Sequence, residues 1–337
     1  MTAGQGPTPG AALEFRSVVK RYGRGEGARG AVNDLSFEVP AGKICVLVGP
    51  SGCGKTTSLR MVNRLIEPTS GTILLDGVDV AGQEVTALRR RIGYVIQQVG
   101  LFPHLTIERN VAVVPALLGW SKQRRRTRTD ELLELVGLDP ARYRNRYAFQ
   151  LSGGERQRVG VARALAADPP LMLMDEPFAA VDPIARERLQ DEFLRLQRQL
   201  AKTILFVTHD IDEAIKMGDL IAVMADGGRL AQFGSPDRIL AHPASDFVAR
   251  FVGADRGLKR LSLVTVADLR LEPAPSGGEL PSFSPDTRLR DALSVLLVAD
   301  TRGGVALDES GRPRGFITVD AIASALADDY PARTVEA

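Results

Sequence analysis

Cysteine is scarce in this chain of 337 residues: there are two, Cys45 and Cys53, and both fall within one short stretch. A disulfide framework is excluded on that count, and a reducing cytosol is the compartment that follows. Long hydrophobic runs are missing too. A membrane-spanning helix needs about 20 apolar residues, whereas the best stretch, VAVVPALLGW at 111–120, is far shorter and is broken by Pro115. If the protein works at a membrane, another chain supplies the span. Neither sign of charge dominates: 43 basic and 41 acidic residues leave a net +2, which argues against a nucleic-acid binder working by general electrostatics. The N-terminus, MTAGQGPTPG, lacks both a basic and an apolar leader region. It reads as a short disordered tail, 1–12, and implies no export.

What is present is ordinary globular material, 44% hydrophobic and 25% charged, in a length that fits two domains or one large domain with an appendage. The run KICVLVG before residue 50 is apolar and rich in β-branched types, as a strand buried on both faces of a parallel sheet requires. After it, Leu59, Val62, Leu65 and Ile66 recur at helical spacing. Between strand and helix lie Gly49, Pro50, Ser51, Gly52, Cys53, Gly54, Lys55 and Thr56, followed by Thr57. This is G-x-x-x-x-G-K-[ST]. Its glycines let successive N–H groups point at a phosphate, its lysine reaches the terminal phosphates, and the Thr56 hydroxyl can ligate magnesium. Cys45 and Cys53 read as reduced, buried space-fillers.

A phosphate cradle alone fits a small-molecule kinase, a GTPase or a motor. LMLMDEP at 171–177 is a short apolar strand ending in two acids: Asp175 is placed to hold magnesium through its water shell and Glu176 to polarise an attacking water. An acidic pair here also suits a helix start. TILFVTHD at 203–210 repeats the pattern and ends on His209, placed to meet a γ-phosphate. A lone histidine after a strand is more often structural; its order after the acids is what links it to them. LSGGERQRVGVARALAADPP at 151–170 opens a helix at Ser152, Gly153 and Gly154, whose free N–H groups make a second phosphate grip on a separate segment.

Together these stretches resemble the ATP-binding subunit of an ABC transporter over roughly residues 13–253. The resemblance implies an α/β, P-loop (RecA-like) nucleotide-binding domain with an antiparallel β subdomain and a helical subdomain at about 98–152. It also implies two copies of the chain sandwiching two ATP molecules, the Walker A loop of one facing the signature serine of the other. Residue by residue it implies Tyr22 stacking on adenine, Walker A at Gly49–Thr57 including Lys55 and Thr56, and the Q-loop glutamine Gln97, which also touches the metal. It further implies the signature at Ser152–Gly154, Walker B at Asp175 and Glu176, the D-loop Asp182 and the switch His209. Glu155 stands where many members carry glutamine, and Ala179 where close relatives often carry glycine. Glu176 and His209 together imply a site that hydrolyses ATP with Mg2+.

LRMVNRLIEPTSGTILLDG, VTHDIDEAIKMGD and FVGADRGLKRLSL resemble the ATPase subunits of quaternary-amine osmoprotectant importers, for glycine betaine, carnitine, choline or proline betaine. That resemblance implies a peripheral position on the cytoplasmic face of the cell membrane, integral-membrane permease subunits as partners and, through them, a solute-binding protein. No nucleic-acid partner is implied. An importer for another small solute such as an amino acid, or a soluble ABC ATPase without a permease, is the alternative. In QQVGLFPHLTIERNV, the place where importers of this kind receive a coupling helix, Phe102, Pro103 and Leu105 are expected to line the groove. His104 and His242 read as turn residues. SKQRRRTRTDELLELVGL carries a basic run before an amphipathic helix and reads first as a solvated face, with anionic headgroups or the permease as the sharper option.

After residue 253 a linker and extended segment is expected over 254–285, with EPAPSGGELPSFSP as a proline- and glycine-rich loop. Leu289, Ala292, Leu293, Leu296 and Leu297 form a helical stripe, GGVALD and RGFITV two strands about a turn at Gly311, and DAIASALA a helix. That order resembles a single CBS motif over 286–328, a small α/β CBS-like domain, with a tail at 329–337. One copy per chain implies pairing across the ATPase dimer. In nucleotide-binding members a threonine is followed three residues later by an aspartate; here Thr318 is followed at that spacing by Ala321, with Asp320 one place early. A dimerising or salt-responsive role is the better reading. Residues 254–337 hold 10 basic and 13 acidic side chains, so the domain as a whole is not polybasic.

Overall fold

The computed structural model describes residues 8–23, 29–97, 100–179, 181–273 and 280–326. Residues 1–7 of the expected N-terminal tail, 274–279 of the expected loop and the tail at 329–337 lie outside the described residues. The chain packs as two units, Met1–Ser235 and Pro236–Ala337.

In the first unit the strands are β1 Leu13–Tyr22, β2 Arg29–Val39, β3 Ile44–Val48, β4 Ser70–Leu75, β5 Val78–Asp79, β6 Ile92–Val95, β7 Leu171–Asp175, β8 Thr203–Val207, β9 Leu220–Ala225 and β10 Arg229–Gly234. Strands β2, β1, β4 and β5 make an antiparallel sheet in that order. The other six form a sheet ordered β10-β9-β3-β8-β7-β6, parallel except where β10 runs against β9. The parallel arrangement explains the composition: β3, β7 and β8 are buried at every position, because helices cover both faces of such a sheet. Phe15 and Phe37 stack at 4.6 Å in the core, beside the buried thiols of Cys45 and Cys53. Cys45 is pushed up by burial. Both cysteines are free.

Three local features differ from the sequence expectation. The helix after the glycine-rich loop, Lys55–Val62, stops before Leu65 and Ile66. Arg64 takes φ 53°, and the N–H groups of Leu65 and Ile66 both turn back to the Arg60 carbonyl, a left-handed helix stop. The basic run does not precede a helix; it forms the first half of one, Lys122–Leu135, started by Ser121. Residues 8–11 are no loose tail. Ala11 is buried and its N–H donates to the Pro170 carbonyl, while the fully buried Lys202 pairs with Asp168 at 2.7 Å and donates to the Thr8 carbonyl. A buried ammonium needs such partners, and the N-terminal segment supplies one of them.

In the second unit, β11 Ser282–Phe283, β12 Gly303–Leu307 and β13 Pro313–Thr318 form a small mixed sheet. The helices Leu289–Val298 and Val319–Ser324 pack with it around Phe283, Leu289, Leu296, Ala306, Ile317 and Ile322. The stripe omits Leu297, which is 66% exposed, because it sits about 100° round the helix from Leu296. The stretch expected as linker instead holds a helix, Arg256–Leu261. Its Leu261, with Val266 and Leu269, belongs to the same core. Among the described residues, no helix is long and apolar enough to cross a membrane.

Candidate functional site

The residues singled out above sit at the carboxyl ends of adjacent parallel strands. β3 runs into the glycine-rich loop, β7 into Asp175 and Glu176, and β8 into His209, with β3 and β7 on either side of β8. In open parallel sheets this edge is where ligands bind. The loop packs so closely that glycine is needed within it. Gly54 holds φ 93°, and a Cβ there would come within 2.2 Å of the Ala31 carbonyl; one on Gly49 would come within 2.3 Å of the Met224 carbonyl.

Lys55 is buried, and its Nζ donates to the carbonyls of Gly49 at 2.7 Å and Pro50 at 2.9 Å. The ammonium thus lies across the hollow of its own loop. Cys53, 3.8 Å from that Nζ, is pushed up by burial, which leaves a neutral thiol as filler. Ser51 and Gly52 are exposed, while Pro50 and Thr57 are half-buried. At the second position of the helix, Thr56 Oγ1 donates to Asp175 Oδ1 at 2.9 Å. Asp175 is held above its ordinary value by burial, against the pull of the Thr56 bond and the Arg60 charge. A half-buried hydroxyl and a buried carboxylate that meet are hard oxygen donors suited to magnesium.

Glu176 is gripped from two sides. Gln97 Nε2 donates to Oε2 at 2.9 Å, and His209 Nδ1 lies 3.3 Å from Oε1. Its backbone holds φ 45° and its N–H donates to the Val207 carbonyl at 3.0 Å. Gln97, Glu176 and His209, widely separated in sequence, therefore form one cluster beside the Thr56–Asp175 pair.

The structure sets the remaining candidates apart. Tyr22 ends β1 with 47% of its surface exposed and the Lys20 ammonium 5.2 Å from its ring centroid. Ser152 caps the helix Gly153–Leu165, and Asp182 caps Pro183–Leu200. Among the described residues, no hydrogen bond or ion pair joins Tyr22, Ser152 or Asp182 to the Glu176 cluster. Of the three residues expected in a groove, Phe102 lines a surface hollow with Arg89, Arg90, Val113 and Val114, and Pro103 and Leu105 are not part of its lining.

Some residues around the site were not anticipated. Glu213 is buried and accepts from Gln190 Nε2 at 3.0 Å, joining the helix that Asp182 starts to the one that follows His209. Burial pushes its carboxyl up. Tyr143 donates to Glu155 at 2.5 Å. The spacing of Ser152 and Glu155 is a capping-box signature and could have been read; the tyrosine, far off in sequence, could not.

Comparison with known proteins places the chain in a family. The family description "ABC transporter" matches residues 32–179. The osmoprotectant import ATP-binding protein OsmV of Salmonella typhimurium is 51% identical over 85% of this chain and 74% of its own. The choline transport ATP-binding protein OpuBA of Bacillus subtilis is 52% identical over 92% of this chain and 79% of its own. Among solved structures, a dimeric ATP-binding cassette in a post-hydrolysis state with ADP and Pi superposes with a TM-score of 0.59 at 32% identity, over 66% of this chain and 98% of the other.

Proposed function

Because this chain belongs to the family of ABC transporter ATP-binding subunits, and is therefore an ATP hydrolase, we propose that it powers uptake of a quaternary-amine osmoprotectant through a separate permease. The observation that carries the solute class is the run of relatives at 40–52% identity named for osmoprotectant, carnitine, choline or glycine betaine transport. The permease spans the membrane, this chain sits on its cytoplasmic face, and a solute-binding protein delivers the cargo from outside.

The chemistry follows from the cluster. Tyr22 offers an exposed ring for the adenine face. The Lys55 ammonium exchanges its two loop carbonyls for phosphate oxygens, a charge-assisted and stronger pairing. Glu176 polarises the attacking water, with Gln97 and His209 holding its two oxygens. Thr56 and Asp175 would hold magnesium, with Gln97 as the further ligand that the family resemblance implies; bound there, it would neutralise charge on the phosphates. Magnesium keeps waters and phosphate oxygens as most of its ligands, so two protein oxygens are enough to place it. Ser152, Gly153, Gly154 and Asp182, away from this cluster, act on the ATP held by a second copy of the chain.

We assign Pro236–Ser324 and its flanks to regulation or assembly rather than catalysis. The order of helix, two strands and helix over 286–328 supports a single CBS motif, paired with that of the second copy. Val295, Leu297 and Val298 leave an exposed apolar patch on its first helix, which supports such pairing. The test of the whole reading is phosphate release by the purified chain with the permease in vesicles. Release should require magnesium and rise when glycine betaine, carnitine or choline is presented with its binding protein; release indifferent to all three would remove the solute class.

A further inference from the structure

Glu155 takes the third position of the helix Gly153–Leu165. Its Oε2 accepts from the Ser152 N–H at 2.7 Å, and its own N–H donates to Ser152 Oγ at 3.3 Å. This reciprocal cap needs only one carboxylate oxygen. The other, Oε1, accepts from the Tyr143 hydroxyl at 2.5 Å. Tyr143 is buried at the end of the helix Pro140–Tyr143, and the guanidinium groups of Arg142 and Arg146 lie 5.3 and 5.0 Å from its ring centroid. The phenol bond, then the Ser152 N–H, hold the Glu155 carboxyl below its ordinary value.

What Tyr143 is attached to matters as much. The carbonyls of Arg144 and Arg146 accept from the N–H groups of Glu108 and Ile107 at 2.9 and 2.8 Å, and Thr106 bridges to Tyr147. The segment just beyond Tyr143 is thus sewn to the start of the helix Ile107–Val111, a few residues past Phe102. The chain itself leads from that frame to the turn, Tyr147 and Gln150 bonding to each other on the way, and the Tyr143 hydroxyl adds a side-chain tie made directly to the residue that caps Ser152.

The geometry points to Tyr143 as a positioning residue for the signature: through Glu155 it fixes the turn that presents the Ser152 hydroxyl and the Gly153 and Gly154 N–H groups to ATP. This rests on the reading of Ser152 as the serine that meets the second copy's nucleotide. An acid at 155 suits the role better than an amide, since a phenol bond to a carboxylate is charge-assisted and shorter than one to a neutral acceptor.

The test uses the full chain as wild type, Tyr143→Phe, Glu155→Gln and the double variant. Tyr143→Phe should lower kcat about tenfold, the scale of one charge-assisted bond, with the KM for ATP unchanged, because Walker A holds the nucleotide on the other copy. In the Glu155→Gln background the same change should cost about twofold, since the two residues act as one unit. Amide exchange at the Ser152 and Glu155 N–H groups should quicken about tenfold in Tyr143→Phe, and the melting temperature should fall by no more than about 6 °C, the shift that one such bond carries in a unit of this size. Unchanged exchange, a loss carried equally in KM, or full multiplicativity in the double variant would overturn the inference. Exchange needs no nucleotide. A wild-type chain without turnover whose exchange still depends on Tyr143 would sink the ATPase reading and leave the anchor standing.

Discussion

Glu176 shows what the site costs at the level of one residue. A non-glycine residue at φ 45° forgoes about 1–2 kcal/mol relative to an ordinary backbone, and it is held there by the N–H bond to Val207 and the side-chain contacts of Gln97 and His209. Glu176→Gln keeps the shape and removes the charge. Phosphate release should fall at least about 100-fold, the size of a lost general base, while ATP binding, measured by fluorescence titration, stays near wild type. Glu213 makes a pH-dependent prediction. Its carboxyl is pushed up by burial, the Asp210 charge adding to this and the bonds from Thr208 and Gln190 and the Arg186 charge opposing. The folded state therefore keeps this proton to higher pH than the unfolded chain, and the group's contribution to stability falls as pH rises above its unfolded value of about 4.3. Glu213→Gln cannot ionise, so its stability relative to wild type should improve between pH 5 and pH 7, approximate bounds set by that unfolded value; urea unfolding at both pH values checks it. The gathering of Lys55, Thr56, Asp175, Glu176 and His209 at the carboxyl ends of neighbouring strands was legible because each follows a strand in a contiguous stretch. Glu213 with Gln190, and Glu155 with Tyr143, were not, because each pair is made by helices that only the fold brings together.

At the level of elements, the strands feeding the site were legible from their unbroken apolar runs, whereas helix ends were not. The Lys55 helix stops at a left-handed Arg64 that apolar spacing does not register. The basic run helix forms because Ser121 caps it and arginine and lysine are good helix formers. The helix Pro183–Leu200 ends on Ala201 in a left-handed conformation, φ 46°. Ala201→Gly should relieve that strain and raise stability by about 0.5–1 kcal/mol, visible as a higher urea midpoint at unchanged slope. A lower midpoint would mean the Ala201 methyl contributes packing worth more than the strain.

For the whole molecule, the order of motifs along the chain made the ATP-binding unit legible, since its strands and loops follow one another as the sheet needs them. The second unit was less so. Its boundary by packing falls at Ser235, because the helix Pro236–Ala241 packs with Arg256–Leu261, while the change in composition lies further along. Ser152 and Asp182 cap helices apart from the Glu176 cluster, which supports the proposal that a second copy of the chain completes the site. The most direct test is ATP-driven uptake of radiolabelled glycine betaine, carnitine and choline into vesicles holding this chain and its permease, at low and high internal salt. Uptake of at least one solute that is abolished by Glu176→Gln is the predicted result. Uptake of none, with ATP hydrolysis intact, would contradict the account.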